Sequence, residues 1–330
     1  MKRVLLLTML LVLAACDSTG SSATTEGSGV ATSEAPATTT AAAATTTTAA
    51  VPANPGFPIT VEADNGPVTI ETRPEAIVSL STVATEMLFE IGAGPQIVAV
   101  DDQSNYPPDA PVSDLSGFTP NIEAILSYEP DLVVITFDPG DLVASLEAAD
   151  VPVLTYTAAS TIDDVYRQID ALGMATGNRD AAAEVNEMIE TDLTNIVVDS
   201  AGSGDGVTYY HEIDSTLYTV TSSTFFGEIY GLFGLVNIAD PADEDGSAFG
   251  YPQLSSEYVV AADPDIVFLA DVLYGESEET IVARPGWDVM TAVRNGDIVE
   301  LDSDVASRWG PRIVDLAEAI ASALERHGDS

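Results

Sequence analysis

The sequence predicts an α/β fold made of two similar α/β lobes, with a ligand cleft between them and one long helix joining them. Three observations support this prediction. From residue 59 onward, short apolar runs alternate with helical patterns; one pattern occurs at residues 121–133 and again at 255–267; and a long helical stretch, 162–198, separates the two series. Alternating strand and helix patterns are typical of βαβ units built around parallel sheets.

Seven short apolar runs are predicted to be buried strands, because they are bounded by helix-like segments. They lie at residues 77–80, 97–100, 132–136, 153–156, 207–210, 266–269 and 298–301. The helical stretch between the two series is broken at Gly173 and Gly177, and Asn178 or Asp180 can cap its second helix. This second helix, through 181–198, is predicted to form a rigid connection between the lobes.

The internal repeat makes the two halves comparable residue by residue. Each copy contains a helix cap, a glutamate on the first helical turn, a short helix, an acid-Pro-Asp stop and a buried strand. Glu123 and Glu257 are the equivalent glutamates. A weaker echo pairs residues 85–92 with 227–234. Two similar lobes that face one another leave a cleft, and such interfaces are favoured ligand sites.

The N-terminus predicts export and a lipid anchor. Residues 1–15 have the pattern of a signal peptide, in which Lys2 and Arg3 precede an apolar run. The only cysteine, Cys16, ends a Leu-Ala-Ala-Cys sequence that resembles a bacterial lipobox, so we expect it to be lipidated. A Ser/Thr/Ala-rich linker follows, with a composition that predicts disorder. The predicted regions are a signal peptide at 1–15, the lipidated cysteine and linker at 16–58, an N-terminal lobe at 59–160, connecting helices at 161–204 and a C-terminal lobe at 205–330.

Charge excludes several classes of protein. The chain has 53 acidic and 10 basic residues, a formal net charge of −43, and Lys2 is its only lysine. Nucleic-acid binding needs clustered basic residues, and a P-loop needs its lysine. Adhesion to an anionic membrane through a basic patch is equally disfavoured. A saline habitat, where salt screens self-repulsion, is the plainest explanation of the charge.

Catalysis has little support in the sequence. The chain has two histidines, His211 and His327, and no Gly-x-Ser-x-Gly sequence. Glu212 and Asp214 lie near His211, but neighbouring strand residues point to opposite faces and zinc sites generally use several His or Cys ligands. We therefore predict that His211 is structural or lines the cleft, and we predict no catalytic residue, metal or cofactor. A surface hydrolase that uses His211 remains an alternative.

A resemblance to a known family rests on an ordered set of segments. These are IVSLS at 77–81, ATEML at 84–88, SNYPP at 104–108, NIE at 121–123, PDLV at 130–133, YPQLSSE at 251–257 and RWGPRI at 308–313. In this order they resemble the ferric-siderophore and cobalamin binding proteins of bacterial ABC importers, over residues 73–324. The resemblance implies two α/β lobes joined by a spine helix, and a monomer that delivers its ligand to a permease driven by an ATPase. A sensor or scavenger with the same fold but no transporter is the alternative.

The resemblance also implies site residues. Glu123 and Glu257 correspond to the acidic residues that dock on permease arginines, although a carboxylate on a first helical turn also complements the helix dipole. The implied ligand-binding residues are Phe118, Phe137, Tyr218, Tyr251, Arg308 and Trp309. Aromatic faces can hold a large flat or apolar ligand without using charge.

The charges expected near the cleft narrow the ligand class. Arg308 and Arg312 are the available cations, whereas four aspartates are expected at the cleft rim: Asp101, Asp102, Asp138 and Asp271. An anionic ligand would meet a repulsive field. A neutral or cationic chelate, such as a ferric hydroxamate, a corrinoid or haem, is therefore predicted.

Overall fold

The computed structural model describes residues 56–329. The predicted signal peptide, Cys16 and the linker as far as residue 55 lie outside the described residues. The strands are β1 Ile59–Ala63, β2 Gly66–Ile70, β3 Ile77–Leu80, β4 Ile97–Val100, β5 Leu132–Ile135, β6 Val153–Thr155, β7 Thr208–Glu212, β8 Val236–Asn237, β9 Ile266–Leu269 and β10 Ile298–Glu300. The α-helices are α1 Thr82–Glu90, α2 Ile122–Leu126, α3 Leu142–Glu147, α4 Ile162–Thr176, α5 Arg179–Asp199, α6 Phe225–Leu232, α7 Ser256–Ala262, α8 Glu278–Val282, α9 Thr291–Asn295 and α10 Ile313–Asp329.

Two four-stranded parallel sheets have the same strand order. The first sheet runs β4-β3-β5-β6 and the second runs β8-β7-β9-β10. In both sheets the order is second, first, third, fourth along the chain. All seven predicted strands are present, and the predicted fold class of two similar α/β lobes is confirmed.

Two additional elements were not predicted. Strands β1 and β2 form an antiparallel hairpin before the first sheet, with Ala63 paired to Gly66. The Asn65-Gly66 step between them is a known hairpin signal that could have revealed this element. Strand β8 has only two residues, which is too short to produce a periodic pattern.

The internal repeat extends to backbone geometry. Glu129 and Asp263, the acids before the two prolines, both have positive φ angles, of 51° and 49°. The aspartate after each proline then receives backbone N–H groups from the start of the first strand of its own sheet. Asp131 accepts from the residue just before β3 at 2.9 Å, and Asp265 accepts from the first residue of β7 at 2.9 Å. The same short sequence thus terminates a helix and fixes a neighbouring strand in both lobes.

The connection between the sheets consists of two packed helices. Thr161 begins α4 with a capping box to Asp164, and Gly177 ends it with a φ of 75°. The predicted break at Gly173 is wrong, because this residue lies inside α4. A Cβ at Gly173 would come within 2.4 Å of the Ala182 Cβ, so glycine permits the close approach of α5. The 21-residue helix α5 contacts both α4 and α10.

Each sheet is covered on both faces, as parallel sheets generally are. Alternate residues of β3 and β5 point to opposite faces: Ile77 and Leu132 join one cluster, whereas Val78 and Val133 join another. The first of these clusters also includes Phe268 of β9, together with residues of α4, α5 and α10. The two sheets therefore share a continuous core through the connecting helices. Within the part of the chain that the structure describes, no helix is both long and apolar enough to span a membrane.

Candidate functional site

The carboxyl ends of the two sheets face one another. Arg308, which follows β10, donates to Glu86 of α1 at 2.7 Å and to the Asn105 side chain, which follows β4, at 2.9 Å. Helix α1 in turn begins immediately after β3. Loops at the carboxyl ends of parallel strands are the usual location of ligand sites in α/β folds. The candidate site is therefore the space between these two edges.

Hydroxyl groups form a hydrogen-bonded network at the carboxyl edge of the first sheet. Thr85 Oγ1 donates to Ser79 Oγ at 2.9 Å, and Ser104 Oγ donates to Asp101 Oδ1 at 2.6 Å. Burial raises the pKa of Asp101, and the hydrogen bond from Ser104 partly opposes that effect. Asp101 was expected at the cleft rim, but it lies 5% exposed beneath this network.

Two of the predicted aromatic residues lie together above this edge. Phe118 and Phe137 are 68% and 41% exposed, and their ring centroids are 5.7 Å apart with the planes inclined at 45°. Phe137 follows the end of β5, while Phe118 lies in the loop before α2. Exposed paired rings provide an apolar surface that a ligand can cover.

The edge of the second sheet contains a partly open, largely apolar cavity. Its volume is about 390 Å³. The predicted residues Tyr251 and Trp309 line it, and Trp309 Nε1 also donates to Gln168 Oε1 of α4 at 3.2 Å. The remaining lining residues are His211, Ile213, Val220, Phe226, Ala270, Leu273, Tyr274, Ser303, Asp304, Ala306 and Ser307.

His211, which the sequence predicted to be structural or to line the cleft, lines this cavity and is hydrogen-bonded to a tyrosine hydroxyl. Its Nδ1 lies 2.9 Å from the Tyr230 hydroxyl, while its Nε2 is buried without a partner. Burial lowers the pKa of His211 to about 4, so the ring is neutral near pH 7. A hydrolase base needs a carboxylate behind the imidazole, and here that position is taken by Tyr230.

A buried ionic cluster lies at the end of β7. Arg284 donates to both oxygens of Glu212, at 2.6 and 2.5 Å, and to Glu276 at 2.8 Å. Burial by itself would lower the pKa of Arg284. The hydrogen bonds that Arg284 donates to Glu212 and the negative charges of both glutamates outweigh burial, so the pKa of Arg284 is raised. Asp271 lies close by with both carboxylate oxygens buried and unpartnered. Burial, reinforced by the charge of Glu212, raises the pKa of Asp271 to about 7. Asp271 was expected at the rim and is instead 1% exposed.

The other predicted site residues occupy different surroundings. Tyr218 is 42% exposed and forms a bridge with Gln253, and it does not line the cavity. The side chain of Arg308 is 10% exposed and is occupied by ion pairs with Glu86 and Asp304. Glu123 and Glu257 are both exposed on the first turns of α2 and α7.

Several cavity residues were not predicted from the sequence. Leu273 and Tyr274 are 71% and 83% exposed and follow the end of β9. They obey the same rule that identified Phe137, an apolar side chain in the loop after a strand, so the signal was present. Phe226 lies on α6 and has no comparable signal. Among residues 56–329, no group of three or more His, Cys, Asp or Glu side chains could hold a metal ion.

Comparisons with known proteins agree with this geometry. A family model described as periplasmic binding protein matches residues 77–305. An uncharacterized ABC transporter substrate-binding lipoprotein of Bacillus subtilis, YvrC, is 28% identical over 81% of this chain and 86% of its own length. A cobalamin-binding protein of Halobacterium salinarum is 30% identical over 81% of this chain and 74% of its length. The solved structure of the vitamin B12 binding protein BtuF of Vibrio cholerae matches with a TM-score of 0.64 and 26% identity, over 78% of this chain and 99% of that one.

Proposed function

Since the chain belongs to the periplasmic binding protein family, we propose that it captures a metal chelate outside the cytoplasm and delivers it to the permease of an ABC importer. The ligand class is a ferric siderophore of the hydroxamate type, a corrinoid or a haem-type chelate. One observation carries this proposal: the carboxyl edge of the second sheet, on the side that faces the first sheet, has an aromatic-lined pocket of about 390 Å³.

The lining favours an uncharged, largely apolar ligand. Tyr251, Phe226 and Trp309 offer aromatic surface, and the described lining includes Asp304 but no arginine or lysine. His211 is neutral near pH 7, because burial lowers its pKa to about 4. Among the relatives, the cobalamin-binding protein of H. salinarum supports a corrinoid first. A neutral ferric hydroxamate fits the same surface.

Direct binding tests this proposal. Purified protein is titrated with cyanocobalamin, ferrioxamine B and haem, using native mass spectrometry and the quenching of tryptophan fluorescence. We expect one chelate to bind with a Kd of about 1 μM or tighter, and Tyr251→Ala to weaken it by about tenfold. Tyr128→Ala, at an exposed tyrosine that follows the end of α2 and does not line the cavity, is the control and should leave the Kd unchanged. Absence of binding to all three chelates would contradict the proposal.

Docking on a permease is proposed for Glu123 and Glu257. The two glutamates occupy equivalent exposed turns, so a permease dimer with one basic pocket per subunit could hold both lobes. Desolvated charge pairs at an interface can contribute a few kcal/mol, more than exposed pairs. Reversing both charges, Glu123→Arg with Glu257→Arg, should abolish ligand uptake and leave the Kd in solution nearly unchanged.

A matched double reversal controls for net charge. Glu184→Arg with Glu187→Arg changes the same number of charges on the exposed side of α5 and should leave uptake intact. Uptake that survives the reversal of Glu123 and Glu257 contradicts the docking assignment. If the protein binds a chelate but cells take up that chelate equally well without the protein, the scavenger alternative is supported instead.

Lipid anchoring at Cys16 is proposed from the lipobox-like sequence. The B. subtilis relative, a substrate-binding lipoprotein, supports it. Cys16→Ser should prevent acylation and release the protein or leave an unprocessed precursor. Identical partitioning of wild type and Cys16→Ser into detergent would contradict lipidation.

A further inference from the structure

One glutamate of the first lobe binds two arginines of the second. Glu86 Oε1 accepts hydrogen bonds from Arg308 and Arg312, each at 2.7 Å, and Oε2 accepts from Arg312 Nε at 2.9 Å. The Glu86 side chain is 2% exposed, and those of Arg308 and Arg312 are 10% and 16% exposed. Charge-assisted hydrogen bonds of this kind are short and comparatively strong. The contact therefore removes both cations from solvent.

The network has one further ion pair within the second lobe and two further contacts between the lobes. Arg308 pairs with Asp304 at 2.8 Å, and Asp304 accepts from Asn105 at 2.7 Å. The Arg312 guanidinium lies 4.3 Å from the centroid of the Tyr106 ring. Two guanidinium groups and two carboxylates take part, so their formal charges cancel.

The network stands directly beside the cavity. Asp304 belongs to the network and also lines the cavity, as do Ser307 and Trp309 on either side of Arg308. Arg308 is therefore close enough to meet a bound ligand if its carboxylate partners are removed. With Glu86 in place, neither arginine presents an unpaired positive charge to the cleft.

We propose that Glu86 determines the charge class of the ligand, because it neutralises Arg308 and Arg312 and thereby reserves the cleft for uncharged or cationic chelates. Glu86 is a positioning residue that acts through the two arginines. This inference rests on the proposed capture of a chelate and narrows its ligand class: anionic chelates, including haem with its two propionates, are disfavoured. Loss of the Glu86 charge leaves Asp304 as the hydrogen-bonded carboxylate of Arg308, with Asp302 and Asp315 near Arg312. The site then carries one negative charge fewer and is more favourable for an anionic ligand than in the wild type.

Charge-selective binding tests the inference. Wild type, Glu86→Gln and Glu86→Asp are titrated with neutral cyanocobalamin, cationic ferrioxamine B and an anionic ferric tris-catecholate, using tryptophan fluorescence. We expect Glu86→Gln to raise the affinity for the anionic chelate about tenfold relative to the affinities for the neutral and cationic chelates. This increase should disappear in molar salt, because salt screens the attraction between charges. Glu86→Asp retains the charge and should retain the wild-type ratio. Asp304→Asn removes the other carboxylate that pairs with Arg308. It should also raise the affinity for the anionic chelate relative to the other two, and it replaces Glu86→Gln in the test if that variant does not fold.

Glu228→Gln is the matched control. Glu228 is the counterpart of Glu86 on α6, and its Oε2 accepts the Ile162 backbone N–H at 2.8 Å instead of binding an arginine. Its substitution should leave the affinity ratio within about twofold of wild type. Three results would overturn the inference and leave the proposed capture of a chelate intact. They are an unchanged affinity ratio in Glu86→Gln, an equal change of the ratio in Glu228→Gln, and a wild type that prefers the anionic chelate. Failure of every protein to bind any chelate overturns the proposed function and this inference together.

Discussion

The two sheets have the same topology but different chemistry at their carboxyl edges. Ile77 of β3 pairs with Leu132, and Tyr209 of β7 pairs with Ile266, so the two registers can be superimposed through the internal repeat. Ser79 then corresponds to His211. The serine belongs to a hydroxyl network in which its Oγ accepts from Thr85, whereas the Nε2 of the histidine has no partner.

The neighbouring positions differ in the same way. Leu80 of the first sheet corresponds to the ion-paired Glu212, and the exposed Phe137 corresponds to the buried Asp271. Only backbone hydrogen bonding and apolar burial are needed to build the sheet, so the residues at and beyond the carboxyl ends of the strands are free to diverge. In the second lobe these positions hold buried titratable groups near a cavity, whereas in the first lobe they include one ring of an exposed aromatic pair. The following four predictions test how much each difference contributes.

The largest effect is expected from breaking the buried ion pair. Arg284→Gln leaves Glu212, whose side chain is fully buried, without its cation. An uncompensated buried charge should lower the free energy of unfolding by about 3–5 kcal/mol near neutral pH, measured by urea unfolding. Glu212→Leu combined with Arg284→Met copies the leucine of the first lobe and should recover most of the loss. A single Arg284→Gln change of under about 1 kcal/mol would contradict this account.

A smaller and pH-dependent effect is expected at Asp271. Its folded pKa is raised to about 7, so the folded state binds more protons than the unfolded state between about pH 4 and 7. Stability is therefore lost as pH rises through this window, and Asp271→Asn should stabilise the protein by on the order of 2 kcal/mol at pH 8 and hardly at all at pH 4. The exposed Asp102→Asn is the control. Equal effects of Asp271→Asn at pH 8 and pH 4 would show that the acid is not strained by burial.

The opposite sign is expected for His211. Its folded pKa is lowered to about 4, so its contribution is fully present above pH 6.5 and is lost as pH falls from 6.5 toward 4. His211→Gln should remove this slope, which amounts to about 1–2 kcal/mol at pH 5, in thermal unfolding followed from pH 7 to 5. Ser79→Ala, at the equivalent position of the first lobe, should leave the slope unchanged. A slope that persists in His211→Gln must come from another group.

The smallest effect is expected where the lobes are alike. Asp131 and Asp265 each hold the start of the first strand of their sheet through backbone N–H groups. Asp131→Asn and Asp265→Asn should each cost about 1 kcal/mol, and the double variant should cost their sum. A difference above about 1 kcal/mol between the single variants in urea unfolding would show that the two copies of the repeat are not energetically equivalent.

Much of the architecture followed from local patterns. The positions of seven strands, the internal repeat and the long helix near 181–198 were readable because buried strands need apolar runs and helices need caps. Phe137 and Tyr251 were named as cleft residues only through the family resemblance, and their contact with a ligand stays a prediction. The pairing of Arg308 with Glu86 was not readable from the sequence, since 222 positions separate the two residues along the chain.

The sequence by itself determined the two-lobed α/β class, the equivalence of the lobes and the general location of the site. These depend on local periodicity and on a repeat that can be compared within one chain. The tertiary structure alone decided which charges are neutralised, which acids are buried and which side chains enclose the cavity. Asp271 and Arg308 illustrate the reason. The pKa of Asp271 depends on burial and on Glu212, which is distant in sequence, and the availability of Arg308 depends on Glu86 of the other lobe.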